Sequence, residues 1–320
     1  SPTGVPAPVT AYPTVTGPSA EEDPVLAQLL EQLRERHNDA ICGVLVYGSC
    51  LRSGNIYDGL LDLYLICDNY SAAYGSGFLA GANWLLPPNV FYAETSIAEQ
   101  TLRAKVTVIS LRDFQRGCSR AWFESYIWGR FSQPTHLLYY RDQDTREQIE
   151  DALLNAALTL LQRALPALPP EGSVTDLWEQ ALGLSYATEL RTERSGRASE
   201  LATSSAAFYN AVTRLHADSL ALDFTVHDAQ GETSYRCSIG QLRRRGGKLA
   251  WAIRRVQGKV MSVSRLVKAL FTFEGGLDYI AWKLERHSGE KIVFPDRVRR
   301  APLIFLWGFF WGLYRRGIFK

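Results

Sequence analysis

The sequence predicts an α+β protein in which a mixed-sheet domain comes first and a helical, basic region follows. Three observations predict it. Short apolar runs with β-type composition concentrate before residue 110, whereas helical periodicity dominates from about 145 onward. The charge also splits along the chain. Residues 1–235 carry 16 Lys/Arg against 28 Asp/Glu, and residues 236–320 carry 19 against 5. A net +2 thus hides an acidic body and a basic end, a pattern that points the C-terminal part toward an anionic partner.

Taken in order, residues 1–20 are rich in Pro, Ser, Thr and Gly and read as a disordered lead-in. Pro24 opens a helix whose Val25, Leu26, Leu29, Leu30 and Leu33 recur at helical spacing. The run ICGVLVYGSC follows as a strand ending in Gly48-Ser49. After a turn-like stretch from Arg52 to Gly59 comes a second strand, LLDLYLICD. Further strands are expected around Val90-Phe91-Tyr92 and from Lys105 to Ile109.

Leu153, Leu154, Ala157, Leu158 and Leu161 mark the buried face of a helix from about 145 to 164, which Pro166, Pro169 and Pro170 end. A helix near 175–184 comes next, then a strand pair, FTVH and TSYRC, turning at Gln230-Gly231. Three helices are expected after it, over 240–256, 259–272 and 274–287. The domains are therefore placed at 21–145 for the sheet and 146–300 for a helical, winged-helix-like basic part. Residues 301–320 form an amphipathic aromatic tail.

Composition excludes several classes. With 46% hydrophobic and 21% charged residues the chain is globular, and it has no apolar 20-mer long enough to span a bilayer. Five cysteines without a CxxC or a Cys/His cluster, and five scattered histidines, argue against zinc and for a reducing compartment. No secretory signal is visible. The tail APLIFLWGFFWGLYRRGIFK carries Trp307, Phe309, Phe310 and Trp311, flanked by Arg315 and Arg316. Its apolar part is too short to span and has the profile of a membrane-interface segment. A helix docked in the core or a dimer interface is the alternative.

Residues 47–68 carry the chemistry. Gly48 lets the backbone approach a triphosphate, and the Ser49 hydroxyl can hold phosphate oxygens. Asp62, inside the apolar run LLDLYLI, is costly to bury unless it holds something, and Mg²⁺ is the expected cation. Gly-Ser followed by a strand acid resembles the nucleotidyltransferase superfamily pattern. Where that pattern has a second acid two residues on, this chain has Tyr64.

Four segments then resemble one branch, the mitochondrial-type phosphatidate cytidylyltransferases (CDP-diacylglycerol synthases). They are Tyr47-Gly48-Ser49-Cys50, Leu61-Asp62-Leu63-Tyr64 running on to Asp68, YIWGRFSQP from Tyr126 to Pro134, and GLSYATELR from Gly183 to Arg191. Lys105 stands where the family's Lys-bearing strand has its lysine. Cys50 replaces a family Gly, and Glu189 replaces an Asp.

The resemblance implies a nucleotidyltransferase-fold sheet domain and a peripheral membrane enzyme that transfers CMP from CTP to phosphatidic acid. It would sit on the cytoplasmic face of a bacterial inner membrane or the matrix side of a mitochondrial one. Asp62, Lys105 and Arg191 are the expected catalytic residues, and Gly48, Ser49, Ser185 and Tyr186 the nucleotide-binding ones. Asp68 and Glu189 are candidate metal ligands beside Asp62. Strand capping remains open for Asp68, ordering of Arg191 for Glu189 and packing for Tyr186.

Two other readings stay in view. One is a nucleotidyltransferase with another acceptor, such as RNA, a protein or a different lipid phosphate. Arg243, Arg244, Arg245, Lys248, Arg254, Arg255 and Lys259 would then track nucleic acid, although few aromatics interleave them and nucleic acid is the less expected partner. The other is a catalytically inactive membrane adaptor.

Overall fold

The computed structural model describes residues 12–75, 89–190 and 196–272, and the single positions 281, 285, 291, 293, 311 and 315. The first domain is a five-stranded mixed sheet. Its strands are β1 (Ile41–Tyr47), β2 (Leu61–Cys67), β3 (Asn89–Ile97), β4 (Gln100–Ser110) and β5 (His136–Tyr140), in the spatial order β3-β4-β2-β1-β5. All pairings are antiparallel except β2 with β4. Apolar residues on both faces explain the near-continuous runs in β1 and β2: one cluster contains Leu45, Tyr64 and Ile66, the other Val44, Leu63 and Leu65.

Helix α1 (Pro24–Arg36) covers the second face. The Asp23 carboxylate caps it by accepting from the Val25 and Leu26 amides, and Pro24 fills the first turn, where no amide is needed. Short helices α2 (Ser49–Ser53), α3 (Tyr70–Tyr74), α4 (Leu111–Gly117) and α5 (Tyr126–Arg130) punctuate the sheet. The other face packs against α6 (Gln143–Ala164), capped by Asp142, and α7 (Val174–Tyr186), capped by Ser173. Helices α8 (Arg197–Ser204) and α9 (Ala206–His216) complete this layer and were not among the elements expected from the sequence. A second sheet, β6-β8-β7, is built from β6 (Glu171–Ser173), β7 (Asp223–Ala229) and β8 (Glu232–Ser238). Its hairpin turns at Gln230 and Gly231, both at positive φ, as the sequence predicts.

Three expectations change. Residues 12–20 are not a loose lead-in. The Tyr12 ring meets Phe208, its hydroxyl accepts from the Thr135 amide, and the carbonyls of Val15 and Pro18 engage the two ring nitrogens of His136. Burial of one aromatic and satisfaction of one histidine hold a segment whose composition alone predicts disorder.

The helices expected over 240–256 and 259–272 are one helix, α10 (Gln241–Thr272). Gly258 does not break it. A Cβ there would stand 2.3 Å from the Thr188 carbonyl oxygen, so the glycine permits close approach to the body. Gly247 does the same against Pro166.

Finally, Arg254 is not a surface charge. It is 1% exposed, donates to the Phe123 carbonyl at 2.8 Å and stacks over the Phe123 and Trp251 rings. Burial, with Arg163 nearby, pushes it down to about 10. Arg244 likewise donates to the Leu168 carbonyl. Neither is free to track a nucleic acid. Of the expected helix 274–287 only positions 281 and 285 are described, both helical; Trp307, Phe309, Phe310 and Arg316 lie outside the described residues, and Trp311 and Arg315 are exposed helical positions.

Candidate active site

The site forms where β1 ends and β2 begins. Tyr47 pairs with Asp62, Asp62 with Lys105 and Lys105 with Tyr92, so one row crosses four strands with its side chains on a shared face. Gly48 turns the chain out of β1 at φ +87°, a conformation that side chains resist. Asp62 reaches back to this turn: a Cβ on Gly48 would stand 2.6 Å from Asp62 Oδ2. Both properties demand glycine, and together they set the carboxylate against bare backbone. Ser49 follows, exposed, as the first residue of α2.

Beside Asp62, Tyr64 is fully buried and packs on Tyr47 and Phe131. Its hydroxyl faces Tyr126 and Arg130 without closing a hydrogen bond of normal geometry. A second carboxylate is thus replaced by an aromatic that belongs to the core. Burial, with Tyr126 close by, drives the Tyr64 phenol far above its ordinary range.

Cations surround these phenols. The Arg130 guanidinium donates to the Tyr47 hydroxyl at 3.1 Å, lies 3.5 Å from Glu189 and stands 4.7 Å from the Tyr126 ring centre. Arg265, from α10, stands 3.7 Å above the same ring and grips Glu124 with two hydrogen bonds of 2.8 and 3.0 Å. Burial alone raises the Tyr126 phenol, but Arg130, Arg265 and Lys105 outweigh it and the net direction is down. Lys268, one turn further along α10, is pushed down to about 7 by burial and by Arg265. Lys105, Arg130 and Arg265 therefore gather positive charge around Tyr126, beside the end of the sheet where Asp62 sits, an arrangement suited to a polyanion.

The predicted residues divide. Gly48, Ser49, Asp62 and Lys105 are brought together, and Glu189 reaches the same place through Arg130. Asp68 is not brought there. It lies past the far end of β2, about 20 Å from Asp62 at ~3.3 Å per strand residue, where Arg141 holds it at 2.7 and 2.9 Å. The strand-cap alternative describes it better than metal ligation beside Asp62. Ser185 is buried against Gly129, and Tyr186 is half-buried at the end of α7. Arg191 lies outside the described residues.

Tyr126 and Arg130 lie inside the YIWGRFSQP segment, which by itself assigns them no role. Glu124, Arg265 and Lys268 had no local signal at all. Among the described residues no three His, Cys, Asp or Glu side chains converge as a metal-holding group; Asp62 is the carboxylate that reaches the Gly48 turn.

Residues 67–201 match the family model described as "Phosphatidate cytidylyltransferase, mitochondrial", over 135 of the 320 residues. Lys105, Arg130, Ser185, Tyr186 and Glu189 fall inside the matched segment; Gly48, Ser49 and Asp62 precede it. No curated protein matches the chain. Among solved structures, a nucleotidyltransferase-like protein from Exiguobacterium sibiricum aligns over 91% of this chain and 92% of its own, at 9% identity and a TM-score of 0.27. No helix among the described residues is long and apolar enough to cross a membrane.

Proposed function

We propose that this protein is a CTP-dependent phosphatidate cytidylyltransferase. It transfers CMP from CTP to the phosphate of phosphatidic acid, giving CDP-diacylglycerol and pyrophosphate. One observation carries the reading. The register pairs Asp62, which precedes the family-matched segment, with Lys105, which lies inside it, so the Gly-Ser turn and the matched part of the chain form one site.

The chemistry suits those residues. A lipid phosphate monoester is already largely dianionic near pH 7, so the attacking oxygen needs no general base. In-line attack on the α-phosphate forms the new P–O bond as the bond to the β-phosphate oxygen breaks, and pyrophosphate leaves with that electron pair. Rate enhancement then rests on positioning and charge stabilisation. Gly48 and Ser49 present backbone and hydroxyl to the triphosphate. Lys105 and Arg130 neutralise phosphate oxygens; Arg265, whose fork is taken by Glu124, adds only its positive field across the Tyr126 ring.

Mg²⁺ fits this donor set. A carboxylate facing a bare-backbone turn matches an ion that takes one or two carboxylates and completes its shell with substrate phosphates and water. Asp62 would hold it. Bound there, it would supply charge neutralisation between the phosphates. Glu189, tied to Arg130, serves better to fix that guanidinium than to ligate.

The test is pyrophosphate release from CTP and Mg²⁺ with phosphatidic-acid vesicles, run beside Asp62→Asn. Release that requires the lipid and is lost in the variant, with the fold intact by circular dichroism, is expected. Release with another acceptor alone would reassign the acceptor. A folded protein that binds vesicles and turns over nothing would favour the adaptor reading that Tyr64, in place of an acid, supports.

A further inference from the structure

The two faces of α10 are chemically unlike. The inner face packs on the body of the protein. Gly247 meets Pro166, the Trp251 indole donates to the Arg163 carbonyl, Gly258 meets Thr188 and Arg265 pairs with Glu124. The opposite face carries Leu242, Leu249, Ile253, Val256, Val260 and Val263, with exposures from 40% at Val263 to 86% at Leu242. At 3.6 residues per turn the six fall within a stripe about 80° wide. Single exposed aliphatics are ordinary; six in one line are a contact surface.

The flanks say what it contacts. Arg245, Lys248, Arg255 and Lys259 border the stripe on one side and Arg243 on the other, all exposed. Residues 241–272 contain no Asp or Glu. The alternating three- and four-residue spacing would also seat a second copy of this helix. Two copies, however, would bring like charges together with no acid on either to answer them. An anionic bilayer answers both features, taking the aliphatics at the acyl boundary and the cations at the head groups.

We propose that the outer face of α10, from Leu242 to Val263, is the docking surface for an anionic membrane, with the helix lying in the plane of the interface. Arg265, on the inner side of the same helix, then stands with the catalytic end of the sheet roughly one helix diameter, ~10 Å, from the lipid. This deepens the lipid-acceptor reading, and it assigns a surface separate from the aromatic tail.

The test uses the full chain, with neither CTP nor phosphatidic acid present. Flotation with vesicles of phosphatidylcholine alone is compared with equimolar phosphatidylcholine and phosphatidylglycerol. Binding to the anionic vesicles only, weakening as salt rises, is expected. The combined variant Leu249→Gln, Ile253→Gln, Val256→Gln should lower it by roughly tenfold or more, and Arg245→Glu, Lys248→Glu, Lys259→Glu should lower it comparably. Every substituted side chain is exposed, so unchanged thermal unfolding is expected in both variants.

Vesicle binding equal to wild type in the glutamine variant would overturn the proposal. So would a wild-type dimer in sedimentation velocity that this variant converts to monomer. Turnover of a water-soluble short-chain phosphatidic acid separates the two readings. The glutamine variant should keep it, whereas a wild-type chain that floats without turning over would remove the enzymatic reading and leave the docking surface standing.

Discussion

Arg265 and Glu124 form a two-pronged ion pair across 141 residues of chain, with only 10% and 4% of their side chains exposed. The pair fastens the far part of α10 to the segment just before α5, and the same guanidinium lies over Tyr126. Removing one partner leaves a buried charge. Glu124→Gln should therefore cost about 3–5 kcal/mol in urea unfolding. Glu124→Leu combined with Arg265→Met should recover most of that stability while leaving turnover low, because the site loses a cation.

Gly48 is constrained twice, by its positive φ and by the Asp62 oxygen that a Cβ would meet at 2.6 Å. Gly48→Ala should lose roughly 1–3 kcal/mol of stability. Its loss of turnover should be larger than that of a surface variant of equal stability, because the carboxylate must move. Parallel unfolding and pyrophosphate-release measurements would separate the two effects.

Lys105 is half-buried in the middle of a strand, in register with Asp62. Lys105→Met should reduce kcat by about 10²–10³, the usual effect of deleting one preorganised charge stabiliser, with little change in Tm. Lys105→Arg should restore part of it.

Gly129, in the YIWGRF segment, leaves room for Ser185: a Cβ there would stand 2.0 Å from the Ser185 hydroxyl. Gly129→Ala should destabilise by roughly 1–3 kcal/mol through overpacking. Adding Ser185→Ala should relieve part of it, since the closest atom is then gone. This contact gives both residues of the pair a packing role.

Two histidines set a pH dependence. His37 is buried beside Phe91 and Tyr74 with its Nδ1 2.7 Å from the Leu33 carbonyl, and burial lowers its pKa below the ordinary 6.5. His216 is lowered for the same reason. The unfolded chain then binds more protons than the folded one below pH 6.5. Their contribution is complete above that pH and is lost as pH falls through the folded values. Tm should drop from pH 7 toward pH 5 in a buffer series, and His37→Phe should flatten the slope.

How much of this could be read locally follows from the range of the interactions. Helix α1, the two central strands, the β7–β8 turn and the place of Asp62 beside Gly48-Ser49 were legible, because periodicity, capping and turn chemistry act over a few residues. Gly258 shows the limit. In sequence a glycine between two helical stretches reads as a break; in the fold it lets the backbone of α10 approach Thr188. Asp68 shows it again, since an acid six residues from Asp62 is near in sequence and at the other end of an extended strand in space.

The class of fold, the charge asymmetry and the motif that places a carboxylate after a glycine turn all follow from the order of residues along the chain. Which cations gather around Tyr126, beside that carboxylate, follows only from packing. Lys105 arrives by strand register, Arg130 from a short helix over the sheet and Arg265 from a helix more than a hundred residues later. Packing also decided that Arg254 is spent in the core while Arg245, Lys248 and Lys259 remain at the surface. Charge is a property of each residue, but burial and proximity belong to the packed chain, and they fix what each charge can do.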